Sequence, residues 1–173
     1  MKIHLIRHAE AIPHAAELPE ALRYLTSRGR TRFRRVATAL KKQGANLDLI
    51  VTSPLIRAVQ TAEILAETMR FAGDLLVMPS LSPGFSISDL HDILSGFPHC
   101  SEIALVGHEP DMGELVQILL LAPGPCFLRK GGVVSFKTSL VQPTVEPKFL
   151  GLITGGGKIV TNIESALERL QAR

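Results

Sequence analysis

Short, almost uninterrupted apolar runs alternate along this 173-residue chain with longer stretches in which apolar residues recur every three or four positions. Continuous apolar runs are typical of strands covered by helices on both faces, and the second pattern is typical of the covering helices. Six runs are predicted to be strands: Ile3–Ile6, Leu47–Thr52, Leu75–Met78, Ile103–Gly107, Gly132–Phe136 and Phe149–Thr154. The last two are expected to be peripheral.

The periodic stretches predict helices with recognisable ends. Thr26 is the expected N-cap of the first helix and Gly44 its stop, while Ser53-Pro54 and Glu109-Pro110 are expected to open two more, and a last helix is predicted over Lys158–Leu170. Their buried positions are predicted to be Phe33, Val36, Ala37 and Leu40, then Ala58, Ala62, Leu65 and Met69, then Leu115, Ile118 and Leu119. The order of elements predicts an α/β fold, a three-layer sandwich with a mostly parallel central sheet and helices on both faces.

The composition fits one soluble domain over residues 1–173, with 46% apolar and 20% charged residues. A net charge of only +3 and the lack of a recognisable binding module argue against a nucleic-acid partner. No apolar run is long enough for a signal peptide or a membrane span, so a cytoplasmic protein without a membrane partner is expected. Cys100 and Cys126 form no metal-binding motif and are expected to be free thiols.

Two histidines and two arginines lie where three of the predicted strands end. Arg7 and His8 follow the first strand, Arg57 lies one turn into the helix after the second, and His108 follows the fourth. Ligands of open α/β sheets bind at this carboxyl edge. Since no cluster of Asp or Glu joins the four side chains, no metal is expected at the site, and no cofactor is implied.

These four side chains suit phosphoryl transfer. Arginine offers paired planar donors that match the oxygens of a phosphoryl group. A neutral imidazole can attack phosphorus near neutral pH and form a phosphohistidine, which water then hydrolyses. A second histidine can donate a hydrogen bond to the charge that develops, and two helix N-termini would add backbone donors.

Four stretches of the chain resemble the motifs of the histidine phosphatase superfamily, in the same order. Leu5-Ile6-Arg7-His8-Ala9-Glu10 is similar to the RHG signature, and residues 53–62 (SPLIRAVQTA) are similar to SPxxRAxQTA. Residues 25–29 (LTSRG) match LTxxG, and residues 106–110 (VGHEP) match the GH motif. The resemblance extends over nearly the whole chain and implies a phosphoglycerate mutase-like fold. The short length looks most like the SixA-type phosphohistidine phosphatases.

The resemblance implies that His8 is the nucleophile, that Arg7 and Arg57 bind phosphate, and that His108 stabilises the transferred group. It also implies a phosphorylated substrate, either phosphohistidine in a protein or a small phosphorylated molecule. Two departures stand out. Ala9 replaces the glycine of the signature, which is harmless if the backbone there keeps a negative φ.

The second departure concerns the general acid. Many superfamily members carry a glutamate in a segment that corresponds to residues 80–83, which contain no carboxylate here. An imidazole leaving group needs little protonation, because its pKa is near neutral. A phosphohistidine substrate is therefore favoured, although Glu10, Asp89 or Glu109 could serve as the acid for other substrates.

Several alternatives stay open at this stage. The basic stretch from Arg28 to Lys42 is either a solvated helix face or a docking surface for an acidic phosphoprotein. Residues 79–88 are the best candidate for a flexible flank of the site. His4 is expected to make a hydrogen bond in the core, and His14 to lie at the surface. A small-molecule phosphomonoesterase and a non-catalytic phosphate-binding scaffold remain alternatives to a phosphohistidine phosphatase.

Overall fold

The computed structural model describes residues 1–139 and 147–172, which form a seven-stranded mixed sheet between two layers of helices. The strands are β1 Lys2–Arg7, β2 Leu49–Thr52, β3 Asp74–Val77, β4 Glu102–Gly107, β5 Val133–Lys137, β6 Lys148–Ile153 and β7 Ile159–Val160. The helices are α1 Ser27–Lys42, α2 Ile56–Met69, α3 Ile87–Gly96, α4 Asp111–Leu120 and α5 Ile163–Gln171, and short 3-10 turns cover Glu20–Leu22 and Pro79–Leu81. The predicted α/β sandwich is confirmed.

The sheet has the strand order β3-β2-β4-β1-β5-β6-β7. Strands β1 to β4 are mutually parallel, and β5, β6 and β7 continue the sheet in antiparallel steps. The prediction that the fifth strand is peripheral is wrong, because β5 pairs directly with β1 and lies inside the sheet. Nothing in the local apolar pattern indicates that β1 is the strand with which β5 pairs.

Side chains alternate between the two faces of each strand and so divide the core in two. Ile3 and Leu5 of β1 belong to the cluster beneath α3, α4 and α5, whereas Ile6 belongs to the cluster beneath α1 and α2. Phe33 of α1 and Ala62 of α2 are fully buried in this second cluster. The two clusters make the sheet a rigid platform whose strand ends carry the polar residues.

Several helix boundaries differ from those predicted. Helix α2 begins at Ile56 after an N-cap at Leu55, two residues later than Ser53-Pro54 indicates, because the Ser53 hydroxyl is hydrogen bonded to His108. Helix α5 begins at Ile163, since Asn162 caps it by accepting from Ser165 N at 2.8 Å. The preceding residues Ile159–Val160, predicted to be helical, instead pair with β6 as strand β7.

Other predictions for the helices hold in part. Thr26 caps α1, and Gly44 follows its end with a φ of 79°. Ile118 is 49% exposed, because α4 packs on the sheet through Met112, Leu115 and Val116 instead.

Residues 79–88 are not an irregular flank of the site. They contain a 3-10 turn, bury Leu81 and Phe85 in the core and end in the first turn of α3, whose N-cap is Ser86. This segment is therefore an integral part of the packed layer that covers one face of the sheet.

Candidate active site

The parallel register brings the two histidines together. Arg7 of β1 lies opposite Gly107 of β4, so the next residues, His8 and His108, leave adjacent strands at the same edge. Their ring centroids are 5.2 Å apart, and the planes are inclined by 54°. Both side chains are buried.

The neutral ring of His8 has its lone pair on Nε2. The Nδ1–H group donates to the carbonyl oxygen of Ala9 at 2.7 Å, and Arg57 Nε donates to Nε2 at 3.2 Å. Burial lowers the pKa of His8 to about 3, opposed by the bond to Ala9 and assisted by the positive charges of His108, Arg57 and Arg7. At neutral pH His8 is therefore a neutral imidazole whose unprotonated Nε2 faces a guanidinium group.

His108 is held by Ser53 at the end of β2. A hydrogen bond of 2.7 Å joins His108 Nε2 to Ser53 Oγ, and Leu55 N donates to the same hydroxyl oxygen at 3.3 Å. If the hydroxyl proton is donated to Nε2, the ring proton of His108 is on Nδ1. Burial lowers the pKa of His108 to about 4, with further lowering by the charges of Arg57 and Arg7.

Two buried nitrogen atoms in this site have no hydrogen-bond partner within the described part of the chain, and they are the Nε of Arg7 and the Nδ1 of His108. Buried donors are almost always satisfied in folded proteins, so each exception calls for an explanation. Arg7 precedes His8 in the chain, and the ring of His108 lies 5.2 Å from that of His8, centroid to centroid. An anionic group bound next to His8 Nε2 would accept from both nitrogens, which is the behaviour expected of a phosphoryl group.

Arg57 connects the site to a carboxylate that sequence reasoning did not single out. Its Nη1 donates to the backbone oxygen of Glu20 at 2.9 Å, and its Nη2 lies 3.2 Å from Glu20 Oε1. Arg23 donates to the same carboxylate oxygen at 2.7 Å. This bond from Arg23, with the charges of Arg23 and Arg57, lowers the pKa of Glu20 despite partial desolvation, so Glu20 is ionised at neutral pH.

Nothing in the local sequence around Glu20 marks it as a site residue. It lies in the connection from β1 to α1, which carries no periodic pattern. The one available signal is topological, because this connection leaves the carboxyl edge of β1 and must pass over the site to reach α1.

Other residues of the motifs that resemble the superfamily support the backbone around the site. Thr61 Oγ1 accepts from Ala9 N at 3.0 Å and donates to the Arg57 carbonyl at 2.6 Å, so it holds the backbone next to His8 against α2. Gly29 lies so close to the chain after β1 that a Cβ atom there would be 2.1 Å from the carbonyl oxygen of Glu10. The backbone of Ala9 lies outside the left-handed region, so alanine is accommodated where the signature has glycine.

The three carboxylates considered as acids lie in different surroundings. Glu109 accepts from Leu128 N through Oε1 and from Gly113 N through Oε2, and burial raises its pKa to about 7 against the effect of these bonds and of Arg7. Asp89 forms the capping box of α3 with Ser86. Glu10 lies 3.9 Å from Arg28. Within residues 1–139 and 147–172 no carboxylate hydrogen bonds to His8 or His108.

The remaining sequence predictions concern histidines, thiols and metals. His4 makes the expected core contacts, with Nδ1 2.7 Å from Ser135 Oγ and Nε2 2.8 Å from Glu102 Oε1. His14 is exposed beside Glu20, and Cys100 and Cys126 are free thiols. The described residues contain no group of three or more acidic, histidine or cysteine side chains that could hold a metal ion. None of their helices is long and apolar enough to cross a membrane.

Comparison with known proteins agrees with the resemblance found in the sequence motifs. The family model of the histidine phosphatase superfamily (branch 1) matches residues 3–81. An uncharacterised protein of Picosynechococcus is 32% identical over 146 residues, which is 82% of this chain and 88% of that protein. The phosphohistidine phosphatase SixA of Escherichia coli is 26% identical over 137 residues, which is 78% of this chain and 84% of SixA.

Solved structures show the same fold. The protein histidine phosphatase SixA complexed with tungstate superposes with a TM-score of 0.79 at 23% identity, covering 90% of this chain and 97% of that one. The alpha-ribazole phosphatase of Shigella flexneri superposes with a TM-score of 0.67 at 16% identity, covering 94% of this chain and 96% of that one.

Proposed function

Because this chain belongs to the histidine phosphatase superfamily and is a phosphatase, we propose that it removes the phosphoryl group from phosphohistidine in a protein, with His8 as the covalent intermediate. The observation that carries the proposal is a pair of buried nitrogens without a partner among the described residues, Arg7 Nε on the residue before His8 and His108 Nδ1 on the ring that packs against the ring of His8. Together with the unprotonated Nε2 of His8, they provide a nucleophile and the hydrogen bonds for the group that it attacks.

The reaction begins with the Nε2 lone pair of His8. This nitrogen attacks phosphorus and forms a P–N bond, while the P–N bond to the substrate ring, which is protonated on its other nitrogen, breaks and leaves its electron pair on the departing nitrogen, so that neutral imidazole leaves. Water then attacks the phosphorus of phospho-His8, the bond to Nε2 breaks with its electron pair returning to Nε2, and the protons of water stay on the inorganic phosphate that is released. The bond from His8 Nδ1–H to Ala9 keeps the ring in one tautomer throughout, so that Nε2 regains its lone pair after each turnover.

Charge on the transferred group is stabilised without a metal ion in this mechanism. Arg7 and Arg57 supply two positive charges, and His108 Nδ1 supplies a directed hydrogen bond in a buried site, where such interactions are strong. A non-catalytic phosphate-binding scaffold is the weaker alternative, because binding alone does not require a histidine kept neutral with its Nε2 free to attack.

The choice of phosphohistidine rests on the leaving group. An alkoxide leaving group needs a proton, and general acid catalysis typically contributes about 10² to 10⁴-fold. Glu20, the carboxylate that pairs with Arg57, is ionised and also pairs with Arg23, so it is a poor proton donor. Glu109, whose pKa is raised by burial to about 7, has both oxygens hydrogen bonded to the backbone N–H groups of Leu128 and Gly113, not to a site histidine. An imidazole leaves with little assistance because of its near-neutral pKa. The name of the SixA relative supports the same choice, whereas the structural likeness to a ribazole phosphatase keeps a small-molecule phosphomonoesterase as the alternative.

A substrate series with increasing leaving-group pKa tests the proposal. We expect kcat/KM to be highest for a phosphohistidine protein and for aryl phosphates and to fall steeply towards sugar phosphates, with His8→Ala as the inactive control. A flat dependence, with sugar phosphates hydrolysed as fast as phosphohistidine, would support the phosphomonoesterase instead. If Glu10, Asp89 or Glu109 donates a proton, its amide variant would steepen the dependence.

A further inference from the structure

A row of positively charged side chains follows one face of α1 and leads to the candidate active site. Arg28, Arg32, Arg35 and Lys42 have the spacing i, i+4, i+7 and i+14, which places them on the same side of a helix. The opposite side carries the buried residues Phe33, Val36, Ala37 and Leu40. The row is therefore the solvent face of an amphipathic helix.

Three adjoining depressions lie beside this row. The first has a volume of about 680 Å³ and contains Arg7 of the active site together with Arg32, and the second contains Arg32 and Arg35. The third contains Arg35 and Lys42. The first two also share Gly156 of the glycine turn that precedes β7. Because neighbouring depressions share residues, they adjoin one another along α1, and we call the three together the basic track.

Most of the charge in the basic track is unpaired. Its first depression also contains Lys130, Lys158 and Arg169. Among the described residues that line it, the one carboxylate is Glu10, which lies near Arg28. In the described part of the chain, Arg32, Arg35, Lys130, Lys158 and Arg169 make no ion pair. A surface of this kind attracts an anionic partner.

We propose that the basic track docks the acidic surface of the phosphoprotein substrate, and that Arg7 is the point where docking and phosphoryl binding meet. The proposal rests on the proposed function and specifies the kind of protein that carries the phosphohistidine. From Arg28 to Lys42 the helix extends about 21 Å, at about 1.5 Å per residue, which is longer than a small phosphorylated metabolite. The track therefore fits a macromolecule.

Its composition favours a protein over a nucleic acid. Proteins that bind single-stranded nucleic acids combine a basic groove with aromatic side chains on which bases stack. Among residues 1–139 and 147–172, no aromatic side chain lines any of the three depressions. Separated arginines on a helix instead match separated carboxylates on a partner surface, where they increase the association rate and the specificity.

The test uses Arg32→Gln combined with Arg35→Gln, because each of these residues belongs to two depressions. Lys137→Gln combined with Lys148→Gln is the matched control, since these exposed lysines lie on β5 and β6 at the opposite end of β1 from His8. One substrate is a small, strongly acidic protein with a single surface histidine phosphorylated by potassium phosphoramidate. A second carries the same phosphohistidine on an uncharged surface, and p-nitrophenyl phosphate reports on the chemistry alone.

We expect the Arg32/Arg35 variant to lose about 10-fold in kcat/KM on the acidic phosphoprotein, mainly through KM, and the loss to shrink at high ionic strength. The control variant and p-nitrophenyl phosphate hydrolysis should be unchanged within about twofold. Equal losses in both variants, or an equal loss on the uncharged phosphoprotein, would overturn the proposal. The proposal would also be overturned if single-stranded DNA inhibits the wild type but not the Arg32/Arg35 variant, while the two proteins hydrolyse the acidic phosphoprotein equally well.

A binding measurement separates this proposal from the proposed function. Affinity of the unphosphorylated acidic protein is measured by fluorescence anisotropy with wild type and both double variants. Weaker binding to the Arg32/Arg35 variant alone supports the basic track even if no phosphohistidine is hydrolysed, in which case only the proposed reaction fails. Equal binding to all three proteins refutes the track, whatever the enzyme hydrolyses.

Discussion

Replacing Arg57 by lysine separates the geometry of this side chain from its charge. The guanidinium is 5% exposed and uses all three of its nitrogens, one on His8 Nε2 and two on Glu20. A lysine ammonium is a single point that cannot contact His8 and a second acceptor in the same plane. It keeps the positive charge but loses the fork that can hold two oxygens of a phosphoryl group.

The expected loss follows from the contacts. A hydrogen bond to a charged group contributes about 1.5 to 3 kcal/mol, so losing one of two in the transition state costs about 2 kcal/mol. This corresponds to roughly a 30-fold decrease in kcat/KM, since about 1.4 kcal/mol is tenfold. For Arg57→Lys, we expect the pH at which kcat/KM falls on acidification to be unchanged. For Arg57→Gln it should move upward, because the positive charge of Arg57 helps to lower the pKa of His8.

The assay is kcat/KM on p-nitrophenyl phosphate and on a phosphohistidine protein between pH 4 and 8, with thermal denaturation to show that the variants fold. Glu20→Gln is the control, because it removes the ion pair but leaves the backbone oxygen that Arg57 also contacts. The Glu20 side chain is half exposed, and Glu20→Gln keeps an oxygen that can accept from Arg57, so this variant should stay folded. A lysine variant within twofold of wild type would show that Arg57 acts only as a charge.

Further predictions concern the nucleophile, metals, pH and Ala9. His8→Ala should abolish turnover in a folded protein, and brief reaction of wild type with labelled substrate should leave an acid-labile, base-stable phosphoryl group on His8. Excess EDTA should leave activity unchanged, and restoration by a divalent ion after a loss would contradict the mechanism. Because the folded pKa values of His8 and His108, about 3 and about 4, lie below the unfolded value of about 6.5, their contribution to stability is present above pH 6.5 and lost on acidification. Urea denaturation should therefore show the stability of wild type relative to His108→Asn decreasing from pH 7 to pH 4.5. Ala9→Gly should reduce stability by roughly 1 kcal/mol through backbone entropy and a lost buried methyl group, with activity within twofold of wild type.

Much of the candidate site could be predicted because its residues follow strands. An apolar run reveals a buried strand, and parallel strands must end at a common edge, so Arg7, His8 and His108 could be assigned to one edge without knowledge of the pairings. Arg57 was predictable for a similar reason, since it lies in the first turn of the helix after β2. The resemblance to the superfamily added the roles, and the comparisons agree with that assignment of family.

Contacts between segments far apart in the chain could not be obtained in this way. The approach of Glu20 to Arg57 spans 37 residues, and the hydrogen bond between Ser53 and His108 spans 55. The first depends on how the connection from β1 to α1 closes over the sheet, and the second on the pairing of β2 with β4, and the local residue pattern carries no signal for either. The same limit explains the position of β5 beside β1 and the strand β7 in place of a helical turn.

The sequence by itself determined the layered α/β architecture and the four side chains at the strand ends, because hydrophobic periodicity and residue type are local properties. Only the tertiary structure decided which nitrogen of His8 carries the proton, which nitrogens of Arg7 and His108 lack a partner among the described residues, and that one depression contains both Arg7 and Arg32 of α1. Tautomers, unsatisfied nitrogens and surface depressions depend on the positions of neighbouring chain segments, and these positions are fixed only when the core has packed.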